Sequence, residues 1–202
     1  LETIKDEVSI PVKAISLDLT KMEAIKEYEE MLKDSGAEVK VLVNASGFGK
    51  FGAFCDLSLE DQLEMIDLND KALVSMTYVT LPFMNKGSKI YQIDSLSSFQ
   101  PVPYIGVYAA TKAFVLSFSR SLGAELKKRG IRVLAVCPGW VKTDFFTRAD
   151  IDAYSNKSFA KPMVKASDVV KKALKDAKKR KDISMYALFN NTHHLLAKLL
   201  PH

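Results

Sequence analysis

Cysteine, histidine and tryptophan are scarce in this 202-residue sequence, with two, three and one residues respectively. So few thiols exclude a small disulfide-stapled scaffold. Cys55 and Cys137, each set among apolar residues, read as core cysteines of a reducing compartment. His193 and His194 are adjacent and have no ligand-spaced carboxylate or thiol nearby, so no metal site is expected. No apolar run reaches the roughly 20 residues that span a bilayer, and no signal-peptide pattern opens the chain. A cytoplasmic location is the expectation. What is present, 48% hydrophobic and 26% charged residues, is the balance of a globular protein and excludes disordered and collagen-like chains. The length suits one domain, taken as 1–202.

An excess of charge of one sign is confined to a single stretch. The net charge is +5. Lys171, Lys172, Lys175, Lys178, Lys179, Arg180 and Lys181 stand against Asp176 alone, a local net of +6 that leaves −1 for the rest of the chain. The run closes a helical pattern, where cations also favour the helix dipole. It reads as a solvated helix end, with an anionic membrane surface or an acidic partner as the alternative. A basic surface spread for nucleic acid is not there.

Strand and helix patterns alternate along the sequence. Residues 12–19 (VKAISLDL), 39–45 (VKVLVNA), 88–93 (SKIYQI) and 131–137 (IRVLAVC) read as strands, with a short further strand near 184–188. Helical patterns cover 21–35, closed by Gly36, and a segment beginning SLEDQ that Ser58 caps with Asp61 as capping-box partner. Others run over 69–84, 107–128, 166–179 and, strongly apolar, 191–200. Apolar β-branched strands alternating with helices predict an α/β protein with a parallel sheet buried on both faces. Ligands of such sheets bind beyond the carboxyl ends of the strands. Polar or Gly-rich turns fall there: 18–20 (DLT), 44–49 (NASGFG), Asp94 with Ser95, and Pro138 with Gly139.

Tyr108 and Lys112 lie four residues apart near the start of the long helical pattern, on one helical face. A nearby ammonium favours phenolate, so the Tyr108 pKa is expected to fall from about 10 towards neutrality. The phenol would then serve as a general acid or base. Ser95 ends the preceding strand thirteen residues before Tyr108; that spacing prefers it over Ser97 and Ser98 as the hydroxyl that would bond a substrate oxygen. Read alone, Asp18 is a turn or cap residue, Asn44 and Gly47 shape a loop, and Asn69 is a helix N-cap.

Six segments together resemble the short-chain dehydrogenase/reductase family over nearly the whole chain. They are LDLT at 17–20, LVNASGFG at 42–49, DLNDKA at 67–72, DSLSSF at 94–99, YAATKA at 108–113 and PGWVKT at 138–143. The resemblance implies a Rossmann-like doubly wound sheet and NAD(P)-dependent oxidoreduction of a secondary alcohol or ketone. By it, Tyr108 would be the catalytic acid/base, and Lys112 would lower its pKa and bind the nicotinamide ribose. Ser95 would hold the substrate oxygen, and Asn69 would keep a kink in its helix and position a relay water. Asp18 and Leu19 would meet the adenine, and Asn44, Ala45 and Ser46 would line the ribose. Pro138, Gly139, Val141 and Thr143 would meet the carboxamide and diphosphate. A homodimer or homotetramer paired through the two long helices is implied as well.

The chain departs from the family in two places. Asn44-Ala45-Ser46-Gly47 stands where the family shows N-N-A-G, which implies altered packing. No G-x-x-x-G-x-G precedes residue 12, although a βαβ unit needs roughly 30 residues. The expectation is therefore that the first βα unit lies outside these residues, and the apolar segment 195–200, with no polar end, suggests a continuation beyond Pro201 and His202. The cofactor is NADP(H) or NAD(H), with the lean towards NADP(H). Aromatics in the loop 145–163, namely Phe145, Phe146, Tyr154 and Phe159, suggest an apolar substrate, and Tyr104 is expected to line its pocket. The alternative is an inactive scaffold without cofactor. Sugar-nucleotide epimerases share the tyrosine–lysine pair, but 202 residues leave no room for their larger carboxyl-terminal domain.

Overall fold

A computed structural model describes residues 10–145, 149 and 163–186. Its centre is a four-stranded parallel sheet. The strands are β1 (Val41–Asn44), β2 (Lys89–Ile93), β3 (Arg132–Val136) and, after the short strands named below, β6 (Ile183–Ser184), in the spatial order β1-β2-β3-β6. Leu42, Ile90 and Val133 are in register across the first three strands. With Met84, Leu122, Leu126 and Ile131 they form one buried cluster. The next position along each strand faces the other way, as the two-residue period of a strand demands. Tyr91, Leu134 and Val136 pack there against Val169, Ala173 and Ala177.

Helices cover both faces, each with a legible cause. Helix α1 (Met22–Ser35) stops at Gly36, whose φ of 58° is the left-handed cap that glycine adopts without strain. Helix α2 (Leu59–Ile66) starts where the Ser58 hydroxyl accepts the Asp61 N–H at 3.0 Å. Helix α3 (Ala72–Thr80) continues from it through a π-helical turn, Asp67–Lys71. The gap expected between two separate helices is therefore absent, and Asn69 is not an N-cap. Helix α4 (Gly106–Leu126) and helix α5 (Ala166–Lys178) match the expected long patterns within about two residues. A separate pair, β4 (Val141–Lys142) and β5 (Val164–Lys165), braces the loop after β3.

Two fold expectations are corrected. Residues 12–19 form no strand. They have the alternating composition of one, but no described strand lies beside them to accept their hydrogen bonds, and Asp18 spends its carboxylate on a local turn with Thr20. Burial on both faces holds for β2 and β3 but fails at β1, where Val41 and Val43 are half exposed. The expected helix at 191–200 and nearly all of the loop at 145–163 lie outside the described residues. Cys137 is buried as expected, whereas Cys55 is exposed. It falls in the turn before α2, beside the exposed Phe54.

Candidate active site

The carboxyl end of the sheet gathers most of the predicted residues. Pairing between β2 and β3 continues past the strands: Asp94 N–H donates to Val136 O at 2.8 Å and Leu96 N–H to Pro138 O at 3.0 Å. That continuation sets Ser95 beside Pro138 and Gly139. Ser95 keeps an extended backbone, and its hydroxyl accepts the Ser97 N–H at 3.2 Å. The first two turns of α4 bring up Tyr108 and Lys112. The Tyr108 phenol hydrogen-bonds the Ser95 side chain. Lys112 Nζ lies 5.7 Å from the centre of the Tyr108 ring and donates to Ile93 O at 2.9 Å.

Asn69 supplies the back wall. It is fully buried, and its amide grips the backbone of one residue from both sides. Phe48 N–H donates to Asn69 Oδ1 at 3.0 Å, and Asn69 Nδ2 donates to Phe48 O at 2.9 Å. Nδ2 also reaches Thr111 Oγ1 at 3.0 Å, and that hydroxyl donates to Tyr108 O at 2.8 Å. The π turn that holds Asn69 is a feature frequently found at functional sites. The glycines of the turn at 46–49 allow this approach. A Cβ on Gly47 would sit 2.7 Å from Asn69 Oδ1, and one on Gly49 would sit 2.9 Å from Tyr108 Cδ2 and 3.0 Å from Phe145 Cζ.

The expected cofactor positions surround this centre. Asn44 donates to Thr77 Oγ1 at 2.9 Å and to Gln92 Oε1 at 2.8 Å, while Ala45 and Ser46 are exposed on the rim. Pro138, Gly139 and Val141 are half-buried, and Thr143 is exposed. Asp18 is exposed and Leu19 half-buried, both in the turn before α1. Asp18 Oδ1 accepts both the Thr20 N–H at 3.0 Å and its hydroxyl at 2.7 Å, bonds that hold its pKa below the ordinary carboxyl value.

The electrostatics correct one expectation. Burial drives the Tyr108 pKa well above its ordinary value, and the nearby Asp94 charge adds to the rise against the lowering effect of the Ser95 bond. No fall towards neutrality is present. The desolvation that penalises the phenolate also penalises the Lys112 ammonium, whose own pKa is lowered. Two carboxyls to which the sequence reading gave no catalytic or cofactor role belong to the same cluster. Burial raises Asp70 to about 7 and Asp94 to about 7, with Lys112 opposing both shifts. Asp94 Oδ2 accepts the Cys137 thiol at 3.3 Å, and Asp94 Oδ1 has no hydrogen-bond partner. Their sequence signals were slight: Asp70 follows Asn69, and Asp94 was legible as part of the rim turn with Ser95.

The residues present fit the nicotinamide half of a dinucleotide. Lys112 spends one of its three N–H donors on Ile93 O, which leaves two for a ribose diol. The exposed Ala45–Ser46 rim stands on one side of it and the half-buried Pro138 and Gly139 on the other.

A parallel α/β sheet with a tyrosine–lysine pair and a serine at its carboxyl rim defines a dehydrogenase-like class. A family model of short chain dehydrogenases matches residues 1–153, and the chain belongs to that family. It is thus an NAD(P)-dependent oxidoreductase in class. It is 28% identical over 195 residues to an uncharacterized oxidoreductase of Staphylococcus epidermidis, covering 96% of this chain and 77% of that one. It is 36% identical over 144 residues to an NADP-dependent 3-hydroxy acid dehydrogenase of Salmonella typhi, covering 70% of this chain and 58% of that one. A short-chain dehydrogenase from Sphingobium yanoikuyae in complex with NADPH superimposes with a TM-score of 0.81 at 26% identity, covering 100% of this chain and 80% of that one.

Proposed function

We propose that the protein interconverts a ketone and a secondary alcohol, with Tyr108 as the proton donor to the substrate oxygen. The observation that carries this reading is the single contact set Ser95–Tyr108–Lys112, closed from behind by Asn69. The nicotinamide, when bound, supplies the hydride chemistry. Ser95 orients the substrate oxygen towards the phenol, and Tyr108 gives up its proton to that oxygen. Burial keeps the Tyr108 phenol protonated, which is the form that proton donation to the substrate oxygen requires. Lys112 binds ribose with its two unspent N–H groups and places a positive charge near the phenolate left after proton transfer. Asn69 holds the 46–49 turn at the distance that Tyr108 requires.

NADP(H) is the proposed cofactor, supported by the NADP-dependent Salmonella relative and by the NADPH complex. An apolar ketone is the proposed substrate. Phe145 stands 5.5 Å from the Tyr108 ring, and Phe51 and Trp140 pair at 6.2 Å beside the same loop. Tyr104 is exposed near that edge. Exposed apolar side chains on α2 to α4, among them Leu63, Ile66, Tyr78 and Phe114, support a homo-oligomer paired through those helices.

Titration of the full-length protein with NADPH and NADH by fluorescence, followed by turnover on a panel of aliphatic, aromatic and sugar ketones, tests the reading. Tighter NADPH binding with turnover of apolar ketones is expected. Binding of neither nucleotide would replace the enzyme reading with that of a scaffold.

A further inference from the structure

Helix α5 presents a surface that the oxidoreductase site does not use. Its inner face, Val169, Ala173 and Ala177, packs on the sheet. On its outer face Val170 and Leu174 remain 55% and 49% exposed. They are four residues apart, and Lys178 continues the same row, with Lys171 and Lys175 one step around the helix. All three lysines are exposed.

Asp176 sorts the basic run into two sets. It is 2% exposed and draws in Lys172, Lys181 at 3.1 Å and the Ser184 hydroxyl at 2.9 Å. Those two lysines share that one carboxylate. Lys171, Lys175, Lys178, Lys179 and Arg180 are paired with no carboxylate among the described residues. The neighbouring acids are otherwise committed or withdrawn: Asp182 pairs with Arg120 at 3.4 Å, and Asp168 is half-buried in the first turn. The sequence from 183 to 202 carries no acid at all.

We propose that the outer face of α5 docks on an anionic lipid surface, with Val170 and Leu174 entering the headgroup boundary and Lys171, Lys175 and Lys178 meeting lipid phosphates and carboxylates. Exposed aliphatics ringed by unpaired cations are what an interfacial helix offers, and each cation near such a surface adds to the attraction. A second copy fits poorly, because a twofold contact is self-complementary. Centred near Leu174, it would set Lys171 against Lys178 of the other copy. Nucleic acid fits poorly as well, since an aliphatic pair gives phosphates and bases neither hydrogen bonds nor stacking.

The test is co-sedimentation of the full-length protein with vesicles of phosphatidylcholine containing phosphatidylserine, beside vesicles of phosphatidylcholine alone. Binding to the anionic vesicles only, lost in high salt, is expected. Lys171→Gln/Lys175→Gln/Lys178→Gln should weaken it on the order of a hundred-fold, and Val170→Ser/Leu174→Ser should weaken it at unchanged charge. Both variants alter exposed positions, and unchanged thermal melting would show that they fold. The proposal is overturned by no binding at low salt, or by equal binding of parent and triple variant. It is also overturned by tighter binding to an oligonucleotide than to the vesicles, or by self-association that the triple variant strengthens.

Discussion

Asn69 and Phe48, twenty-one residues apart, exchange two hydrogen bonds between one buried side-chain amide and one backbone unit. An amide side chain suits this because it presents a donor and an acceptor side by side, the complement of a peptide N–H and C=O. The pairing fixes the 46–49 turn against the π turn of the α2–α3 helix, and the Tyr108 ring rests on that turn.

Replacing Asn69 by leucine should therefore cost stability as well as activity. Phe48 N–H and O would each lose a hydrogen bond to the amide, at about 0.5–1.5 kcal/mol for each bond. Urea denaturation should show a loss of about 1–3 kcal/mol by that arithmetic. Asn69→Asp keeps the acceptor for Phe48 N–H, loses the donor to Phe48 O and Thr111, and should fall between the two. A stability equal to the parent for Asn69→Leu would mean that water replaces the amide at no cost.

Gly49→Ala acts on the site directly. Its Cβ would stand 2.9 Å from Tyr108 Cδ2 and 3.0 Å from Phe145 Cζ, so the rings must move. Overpacking of this kind costs about 1–3 kcal/mol. A displaced phenol should lower turnover at least tenfold while nucleotide binding, proposed above for Lys112 and the 44–46 rim, changes less. Equal losses in both would place the glycine in nucleotide binding instead.

Stability should fall as pH rises from about 4 to about 7. Asp94 and Asp70 are held protonated up to about 7 in the folded protein, whereas in the unfolded chain they ionise near 4. Across that window the unfolded chain binds fewer protons, so rising pH favours it, and the loss levels off above the folded values. Lys112, with its pKa lowered by burial, acts with the opposite sign at higher pH. Asp94→Asn removes one carboxyl titration, and its stability measured in urea at several pH values should decline less over the window than the parent's. An equal decline would show that Asp94 ionises in the fold as freely as in the unfolded chain.

Core packing offers a plain control. Ile90 is fully buried between Leu42 and Val133, and Ile90→Ala should cost about 2–5 kcal/mol with no specific effect on nucleotide binding per folded molecule. A specific binding loss would mean that β2 transmits strain to Ser95.

The physical history of each residue explains what the sequence disclosed. The spacings of Ser95, Tyr108 and Lys112 were readable because a strand end and two helical turns convert spacing into position by fixed geometry. The caps at Ser58 and Gly36 were readable for the same local reason. Residues 12–19 misled because alternation describes a strand's faces but not whether a neighbour pairs with its edge. The Tyr108 pKa misled because desolvation, the largest cause of its rise, comes from packing by residues far away in sequence, which the spacing to Lys112 does not reveal. Asp70 went unread, and Asp94 was read only as a rim residue beside Ser95, because neighbours in sequence say nothing of burial. Cys55 looked apolar by its neighbours, yet a turn carries its side chain, with Phe54, into solvent.

The central claim is that the Tyr108 phenol is the proton donor, and Tyr108→Phe tests it on one sample by two readouts. NADPH affinity by fluorescence and ketone turnover should be measured together on parent and variant. The account predicts affinity within a few-fold of the parent and turnover lower by roughly 10²–10⁴-fold, the usual contribution of a positioned acid. Turnover close to the parent's at unchanged affinity would contradict it.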